Sequence, residues 1–273
     1  MASITAHESF STRAGFLLAT IGTAVGLGNV WKFPYMLGSN GGGAFVLVYL
    51  VAIVLIATPV MIGEMLIGKY GRRSAPSSFK LMAQEVRASE NWKYVGWLGI
   101  ATLFLILSFF SVIAGWSIAY VFKTLSGAFS GLTADQVGQE FDTFLHQPLT
   151  LTVWHGVFMA LTVFIVARGV KGGIEKAIMI MMPALFVMLL GLVVYGMFTG
   201  SFGEALVYLF RPDFSKITPE VTLSAFGQAF FSVNVGLGAV LTYAAYLPED
   251  TDIVRSSIIV AIGDTLVALL AGL

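Results

Sequence analysis

The tetrapeptide Val25-Gly26-Leu27-Gly28 recurs as Val235-Gly236-Leu237-Gly238, and each copy lies within an apolar stretch long enough to cross a bilayer. Each glycine weakens a helix by about 1 kcal/mol relative to alanine and exposes the backbone, which hydrocarbon tolerates only beside a cavity or against protein. Amide and hydroxyl side chains flank both copies, namely Thr23, Asn29, Ser232 and Asn234. The pair predicts two discontinuous helices, which are typical of a transporter's binding site. The alternative is close helix packing, because Gly22 and Gly26 match the small-xxx-small pattern.

The composition indicates an integral membrane protein. The chain is 57% hydrophobic and 11% charged, with a mean hydropathy of +0.87, well outside the range of soluble domains. A net charge of +0 gives no reason to expect a nucleic-acid partner, and the absence of cysteine excludes disulfides and thiolate metal sites. The first dozen residues are polar without a basic region, so we expect the first helix to be retained and not cleaved as a signal peptide.

Apolar runs of about 20 residues predict the membrane segments. There are seven, at 13–38, 44–70, 95–124, 150–168, 175–199, 223–247 and 254–273. The loops at 70–94 and 168–176 carry the excess of lysine and arginine, which places them and the N-terminus in the cytoplasm. The predicted location is therefore the cell's inner (plasma) membrane, as a multi-pass protein.

The chain ends while still apolar, without a cap or a basic tail, which predicts a truncated protein. If the two glycine-broken helices each begin an inverted repeat, residues 1–200 form the first repeat, with segments one to five. Residues 201–273 then form the start of the second repeat, with segments six and seven.

Several motifs resemble the neurotransmitter:sodium symporter family. In the first third of the chain they are RAGF at 13–16, GTAVGLGNVWKFPY at 22–35, NGGGAF at 40–45, and Glu64 with GKYG at 68–71. Later matches are GVKGGIEK at 169–176, MP at 182–183, PD at 212–213, GQAFFS at 227–232, and Tyr243. The resemblance covers the whole chain. It implies an all-α, leucine-transporter-like inverted-repeat fold of about twelve helices when complete, and sodium-coupled symport of an amino acid by alternating access.

The chemistry of a broken helix agrees with that function. A zwitterionic amino acid needs donors for its carboxylate and acceptors for its ammonium, and the two half-helix ends supply free N–H and C=O groups. Sodium, a hard cation, prefers oxygen ligands. The resemblance implies one sodium held by the Ala24 carbonyl, Asn29, Ser232, Asp264 and the substrate carboxylate. A second would use the carbonyls of Gly22 and Val25, with further ligands from an eighth helix.

The resemblance also implies the substrate contacts and the gates. The carboxylate would rest on the N–H groups of Leu27 and Gly28, and the ammonium on carbonyls near Ala24, Phe231 and Ser232. The substrate side chain would contact Thr23, Ile106, Phe110, Asn234 and Leu237. The gating residues would be Lys32, Phe231 and Glu64, with Glu64 receiving N–H groups of the unwound sixth helix.

Some positions depart from the family pattern. Phe110 replaces a tyrosine that helps to hold the substrate carboxylate, and without the resemblance it would read as a lipid- or core-facing aromatic. Lys32 replaces the outer-gate arginine and lacks its bidentate fork. His7 and Phe10 replace the arginine and tryptophan of the inner gate. Glu64 could otherwise pair with Lys69 at the membrane surface.

Two positions bear on the substrate and on chloride. Amine-transporting members carry aspartate at position 26, where Gly26 leaves room for a substrate that brings its own carboxylate. We therefore expect a neutral amino acid. Family members usually have asparagine at 264, and chloride-dependent ones add a serine where this chain has Ala268. A carboxylate at Asp264 would replace the chloride charge, so chloride is not expected to be required.

Other classes of function find less support. A channel calls for a polar or charge-ringed pore, and few polar side chains lie beyond the two breaks. A membrane enzyme needs a nucleophile with a base, a metal cluster or an organic cofactor, and the three histidines are dispersed. The remaining alternative is a transport-incompetent fragment. The expected partners are the amino acid, sodium ions and the lipid bilayer, and a homodimer is one assembly open to such a protein.

Overall fold

The computed structural model describes residues 13–26 and 28–273, with side chains from Leu18 onward except that of Thr23. The α-helices are α1 (Arg13–Ala24), α2 (Phe33–Ser39), α3 (Gly43–Ala52), α4 (Thr58–Gly71), α5 (Ala75–Glu85), α6 (Lys93–Leu125), α7 (Ala134–Leu145), α8 (Pro148–Val166), α9 (Lys176–Thr199), α10 (Phe202–Phe210), α11 (Pro219–Ser232), α12 (Ala239–Ala244) and α13 (Ile253–Gly272). Wider π-type turns occupy Gly28–Lys32, Ile53–Ala57 and Val170–Glu175, and 3₁₀ turns occupy Glu90–Trp92 and Phe214–Lys216.

The described residues include five helical stretches that are long and apolar enough to cross a membrane. They are Gly43–Gly71, Glu90–Leu125, Pro148–Val166, Val170–Thr199 and Ile253–Gly272. They correspond to the predicted segments two, three, four, five and seven. The first and sixth segments are absent from this set because each consists of two shorter helical pieces, α1 with α2 and α11 with α12. The predicted all-α membrane fold with helices one and six broken is confirmed.

The predicted loops contain helices that a search for apolar runs did not anticipate. Helix α5 lies in the basic loop after the second segment, α7 in the acidic loop, and α10 before the sixth segment. These helices are too short to span a bilayer, and α7 begins with a capping box in which the side chains of Thr133 and Gln136 bond each other's backbone N–H. An amphipathic pattern, not apolar length, produces them, and α7 is stabilised by its cap as well.

The described chain forms two compact units, one of residues up to 100 together with 170–273, the other of residues 101–169. The core of the first unit includes three fully buried aromatic side chains, those of Phe33, Phe45 and Tyr49. The ring of Phe33 lies 5.1 Å from that of Tyr49 and 6.1 Å from that of Phe45. This cluster fixes α3 against α2, directly beyond the break in the first segment. The division into inverted repeats near residue 200 stays a prediction.

Helix α4 packs closely against α12. A Cβ atom at Gly68 would overlap the carbonyl oxygen of Leu241 and lie 2.9 Å from the Cβ of Ala244. Glycine is therefore required at this position, because any side chain would push the second segment away from the second helical piece of the sixth. This contact holds α12, which is only six residues long, in place.

Candidate functional site

The break in the first segment redirects backbone hydrogen bonds. Helix α1 ends at Ala24, and the Gly26 N–H points to the Asn29 Oδ1 atom at 3.4 Å. The Asn29 N–H donates to the Gly26 carbonyl at 3.1 Å. In an α-helix these two N–H groups would serve the carbonyls of Gly22 and Val25. Both carbonyls thus lose their helical donors, and they are the pair that the resemblance implies for the second sodium.

The break in the sixth segment is built from residues in the left-handed conformation. Helix α11 ends at Ser232, α12 begins at Ala239, and the φ angles of Asn234, Gly236 and Gly238 are 54°, 80° and 77°. Asparagine and glycine adopt this conformation most readily. Alternating left-handed residues turn backbone N–H groups toward one side and form a concavity suited to an anion.

The carboxylate of Glu64 occupies that concavity. Its Oε1 atom accepts a hydrogen bond from the Gly236 N–H at 2.7 Å. Its Oε2 atom is buried and has no hydrogen-bond partner among the residues that the structure describes. Lys69 donates to the Thr251 carbonyl at 2.8 Å and is engaged there. Glu64 therefore joins the second segment to the break in the sixth, while its role in gating stays a prediction.

We expect Glu64→Ala to destabilise the protein by about 1–3 kcal/mol, because the hydrogen bond that the Glu64 carboxylate accepts from the Gly236 N–H would be lost. Glu64→Gln keeps an acceptor oxygen and should cost less. Unfolding of the purified protein in a denaturing-detergent titration measures both effects. Glu249→Ala is the control, since that side chain is 89% exposed and pairs with Arg72 at 3.5 Å. A Glu64→Ala effect no larger than that of the control would contradict this prediction.

A buried polar cluster joins four segments, the first, second, sixth and seventh. The Asn29 Nδ2 atom donates to the Asp264 Oδ1 atom at 2.8 Å and to the Ser232 Oγ atom at 3.3 Å. The Ser232 hydroxyl donates to the Asp264 Oδ2 atom at 2.6 Å, and the Tyr49 hydroxyl lies 3.4 Å from the same oxygen. All four side chains are fully buried. The structure therefore brings together three of the predicted sodium ligands, Asn29, Ser232 and Asp264.

The electrostatics of this cluster favour a cation. A buried carboxylate is costly unless it is hydrogen-bonded and paired with positive charge. Asp264 receives bonds from neutral donors only, and no lysine or arginine among the described residues forms an ion pair with it. Carboxylate, hydroxyl and amide oxygens are ligands of the kind that hard cations prefer. The arrangement can hold a small monovalent cation without a basic side chain.

Two members of the surroundings were missed by the sequence interpretation. Tyr49 lies on α3 and contacts both Ser232 and Asp264. Gln228 lies on α11, and its Nε2 atom donates to the carbonyl of Gly28 at 3.1 Å, which ties the sixth segment to the break in the first. Gln228 could have been found as an amide side chain within a membrane segment, whereas no signal in the sequence placed Tyr49 beside Asp264.

The ring of Phe231, from the sixth segment, packs against two parts of the first segment, Gly28 and Lys32. The Lys32 Nζ atom is 3.8 Å from the centre of the Phe231 ring, and a Cβ atom at Gly28 would lie 3.2 Å from the ring's edge. By contrast, a Cβ atom at Gly26 would meet no heavy atom of the described structure within 4 Å. The backbone at position 26 thus faces open space, whereas the Phe231 ring lies against Gly28 and under the Lys32 ammonium.

The remaining predicted substrate contacts fall into two groups. Asn234 and Leu237 lie in the break of the sixth segment, where the Leu237 carbonyl oxygen packs 2.8 Å from the Cβ position of Gly99. Ile106 and Phe110 lie on the part of α6 that belongs to the second compact unit. Leu27, the side chain of Thr23, and the inner-gate positions His7 and Phe10 lie outside the described residues. The roles of all these residues stay predictions.

Comparison with known proteins places this geometry in context. The family model described as the sodium:neurotransmitter symporter family matches residues 7–137 and 134–273. An uncharacterised sodium-dependent transporter of Bacillus subtilis (strain 168), YhdH, is 40% identical over 264 residues, which are 97% of this chain and 58% of the relative. An uncharacterised sodium-dependent transporter of Haemophilus influenzae is 31% identical over 272 residues, 97% of this chain and 60% of the relative.

One solved structure is also similar. The crystal structure of MhsT in complex with L-phenylalanine has a TM-score of 0.89 and 42% sequence identity, and the match covers 97% of this chain and 59% of that one. The chain thus spans about three fifths of the length of the relatives it matches.

Proposed function

Because the chain belongs to the sodium:neurotransmitter symporter family, we propose that it carries the ion and substrate site of a symporter that couples sodium entry to uptake of a neutral amino acid by alternating access. The observation that carries this proposal is the buried contact among Asn29, Ser232 and Asp264. These residues come from the breaks of the first and sixth segments and from the seventh. A cation bound there would hold both broken helices in one arrangement.

The proposed first sodium uses the side chains of that cluster with the Ala24 carbonyl and the substrate carboxylate. Ala24 is the last residue of α1 and is 4% exposed, so its carbonyl stands at a helix end inside the protein. The proposed second sodium uses the carbonyls of Gly22 and Val25. The redirected N–H groups of Gly26 and Asn29 support this assignment, because they leave both carbonyls without helical donors.

The proposed substrate lies between the two breaks. Its carboxylate faces the first sodium and the N–H groups at Leu27 and Gly28. Its ammonium faces carbonyls at the end of α11, where the Gly236 N–H bonds Glu64 and so leaves the Ser232 carbonyl without its helical donor. Phe231, with the Lys32 ammonium over its ring, closes the outer side of the site. Thr23, Asn234 and Leu237 contact the substrate side chain in this proposal, and the contacts of Ile106 and Phe110 rest on the family resemblance alone.

Chloride is not required in the proposed mechanism. Asp264 brings its own carboxylate to the ion cluster, and Ala268, one turn later, is fully buried and has no polar side-chain atom to offer an anion. The proposed setting is the plasma membrane, with the N-terminus in the cytoplasm, because the basic loops at 70–94 and 168–176 would then lie inside.

We expect the full-length protein to bind a neutral amino acid in sodium but not its decarboxylated amine. Open space at Gly26 accommodates a substrate carboxylate, and no acid at that position takes its place. Scintillation binding with alanine, leucine and phenylalanine, each competed by the matching amine, measures this selectivity in sodium and in potassium. Gly26→Ala should keep amino-acid binding because its Cβ is unobstructed, whereas Gly26→Asp should abolish it by charge repulsion. Equal competition by an amine would contradict the proposed substrate class.

A further inference from the structure

The second membrane segment is not a regular α-helix, and its irregularity lies midway along it. Helices α3 and α4 are joined by the π-type turn Ile53–Ala57, in which the helix widens to hold one extra residue. Side chains at every fourth position are almost completely buried: Tyr49 0%, Ile53 4%, Ala57 0%, Met61 0% and Met65 0% exposed. This row of buried side chains, one at every fourth position, therefore continues through the π-type turn and stays in the protein core.

A straight α-helix could not keep that stripe on one face. Each residue advances about 100°, so four steps of four residues would carry Met65 about 160° away from Tyr49. The extra residue of the π-type turn rotates all following residues by about 100° around the helix axis, in the direction opposite to this drift. Over the 19 positions from Tyr49 to Gly68, the α-helical displacement would be about 100°, and the turn cancels it. Tyr49 and Gly68 therefore face the same side.

That common side meets both halves of the broken sixth segment. The Tyr49 hydroxyl lies 3.3 Å from the hydroxyl of Ser232, the last residue of α11, and 3.4 Å from the carboxylate of Asp264. Gly68 packs against the Leu241 carbonyl of α12, and Glu64 binds the Gly236 N–H between the two halves. The second segment thus contacts the sixth segment before, within and after the break of the sixth. Only the π-type turn allows one helix to make all three contacts.

The turn is held by Thr58 and Pro59. The Thr58 hydroxyl donates to the Ile53 carbonyl at 2.8 Å, and the Thr58 backbone N–H bonds the same carbonyl, five residues back. Pro59 has no N–H, and its ring clashes with a carbonyl four residues earlier in a regular helix. The hydroxyl supplies a second donor to the carbonyl that closes the wide turn. Proline therefore disfavours the regular helix, and threonine stabilises the widened one.

We propose that Thr58 is a positioning residue for the sodium and substrate site, acting through the π-type turn to align Tyr49 with Asp264 and Gly68 with α12. The assignment of sodium to this cluster rests on the proposed function above. The alignment itself rests on the hydrogen bonds and burial of the second segment. Thr58 contacts neither ion nor substrate.

The first test compares three substitutions in the full-length protein. Thr58→Val removes the hydroxyl at constant shape and should raise the sodium concentration for half-maximal substrate binding by about threefold to tenfold, the range expected for one lost hydrogen bond. Thr58→Ser keeps the hydroxyl and should restore the wild-type midpoint. Thr162→Val is the matched control, because the Thr162 hydroxyl donates to the Phe158 carbonyl four residues back, in regular helix α8.

An unchanged sodium midpoint in Thr58→Val, or an equal shift in Thr162→Val, would overturn the proposal. If Thr58→Val does not fold, Thr58→Ala carries the same expectation, since it removes the hydroxyl without placing a methyl group against the Ile53 carbonyl. If the wild-type protein shows no sodium-dependent binding of any amino acid, the proposed function fails instead, and the alignment is judged by the second test.

The second test reads the orientation of the second segment directly. The Ser257 hydroxyl lies 3.2 Å from the sulfur of Met65, which follows the π-type turn in the chain. The chain contains no cysteine. Met65→Cys combined with Ser257→Cys should therefore give a high yield of cross-link with a short bifunctional thiol reagent. Adding Thr58→Val should lower that yield severalfold, and adding Thr162→Val should not. Equal yields in all three backgrounds would show that Thr58 does not set the orientation, and would overturn the proposal independently of transport.

Discussion

We expect Asp264→Asn to raise the sodium concentration for half-maximal substrate binding by more than about tenfold, a loss of about 1.4 kcal/mol. Two unit charges about 4 Å apart interact by about 4 kcal/mol at an effective dielectric constant of 20. The free energy of a tenfold effect is therefore only about a third of the interaction between the sodium ion and the Asp264 carboxylate. The change preserves shape, and its amide oxygen can still accept from Asn29 or Ser232. The loss therefore reports charge and not packing.

The measurement is a sodium titration of substrate binding with and without chloride. Asp250→Asn is the control, because it removes the same charge from an exposed loop residue. Adding Ala268→Ser to Asp264→Asn should make binding respond to chloride, since the serine hydroxyl and the missing charge together create a site for the anion. An unchanged sodium midpoint in Asp264→Asn would place this acid outside the ion site and return it to a packing or proton-carrying role.

Gly68→Ala should destabilise the protein by about 1–3 kcal/mol and abolish sodium-dependent binding, because the added methyl group overlaps the Leu241 carbonyl oxygen. The clash involves backbone, so it cannot be relieved by rotating a side chain. Separation of α4 from α12 would also draw Glu64 away from Gly236. Denaturing-detergent unfolding and substrate binding measure the two effects.

Gly63→Ala is the matched control in the same helix. A Cβ atom there meets no heavy atom of the described structure within 4 Å, so the substitution should be neutral or stabilising by up to about 1 kcal/mol. If Gly68→Ala behaved like Gly63→Ala, the close approach of α4 and α12 would be wrong.

The sequence predicted the parts of this fold that follow from local chemistry. Bilayer thickness fixes the length of each apolar run, and the glycine pairs with flanking polar residues locate both breaks. The contact among Asn29, Ser232 and Asp264 also followed, because they are polar residues in apolar segments and the resemblance grouped them; the binding of sodium there stays a proposal. The sequence did not predict that Tyr49 belongs to this cluster. It depends on the angular alignment of the second segment over many residues, which hydropathy does not encode.

Two further features required the three-dimensional structure. The π-type turn is signalled only by threonine followed by proline, a pair that regular helices also begin with. The requirement for glycine at position 68 arises from the approach of a helix 173 residues later in the chain, whereas Gly63 in the same helix has open space. No single-sequence pattern distinguishes these two glycines. Short loop helices such as α7 were missed because only long apolar runs were sought.

The bond between Glu64 and the Gly236 N–H joins residues 172 positions apart, and this separation has a consequence for biosynthesis. At typical rates of about 5–20 residues per second, the second segment waits about 9–35 s before the ribosome has made its partner. During that interval an acid without its native donor is held in or beside the membrane. Asn29 and Tyr49 likewise precede Asp264 by more than 200 residues. The nascent chain therefore needs water, lipid headgroups or the insertion machinery as temporary partners, and the second segment cannot settle at its final depth until the sixth has been released.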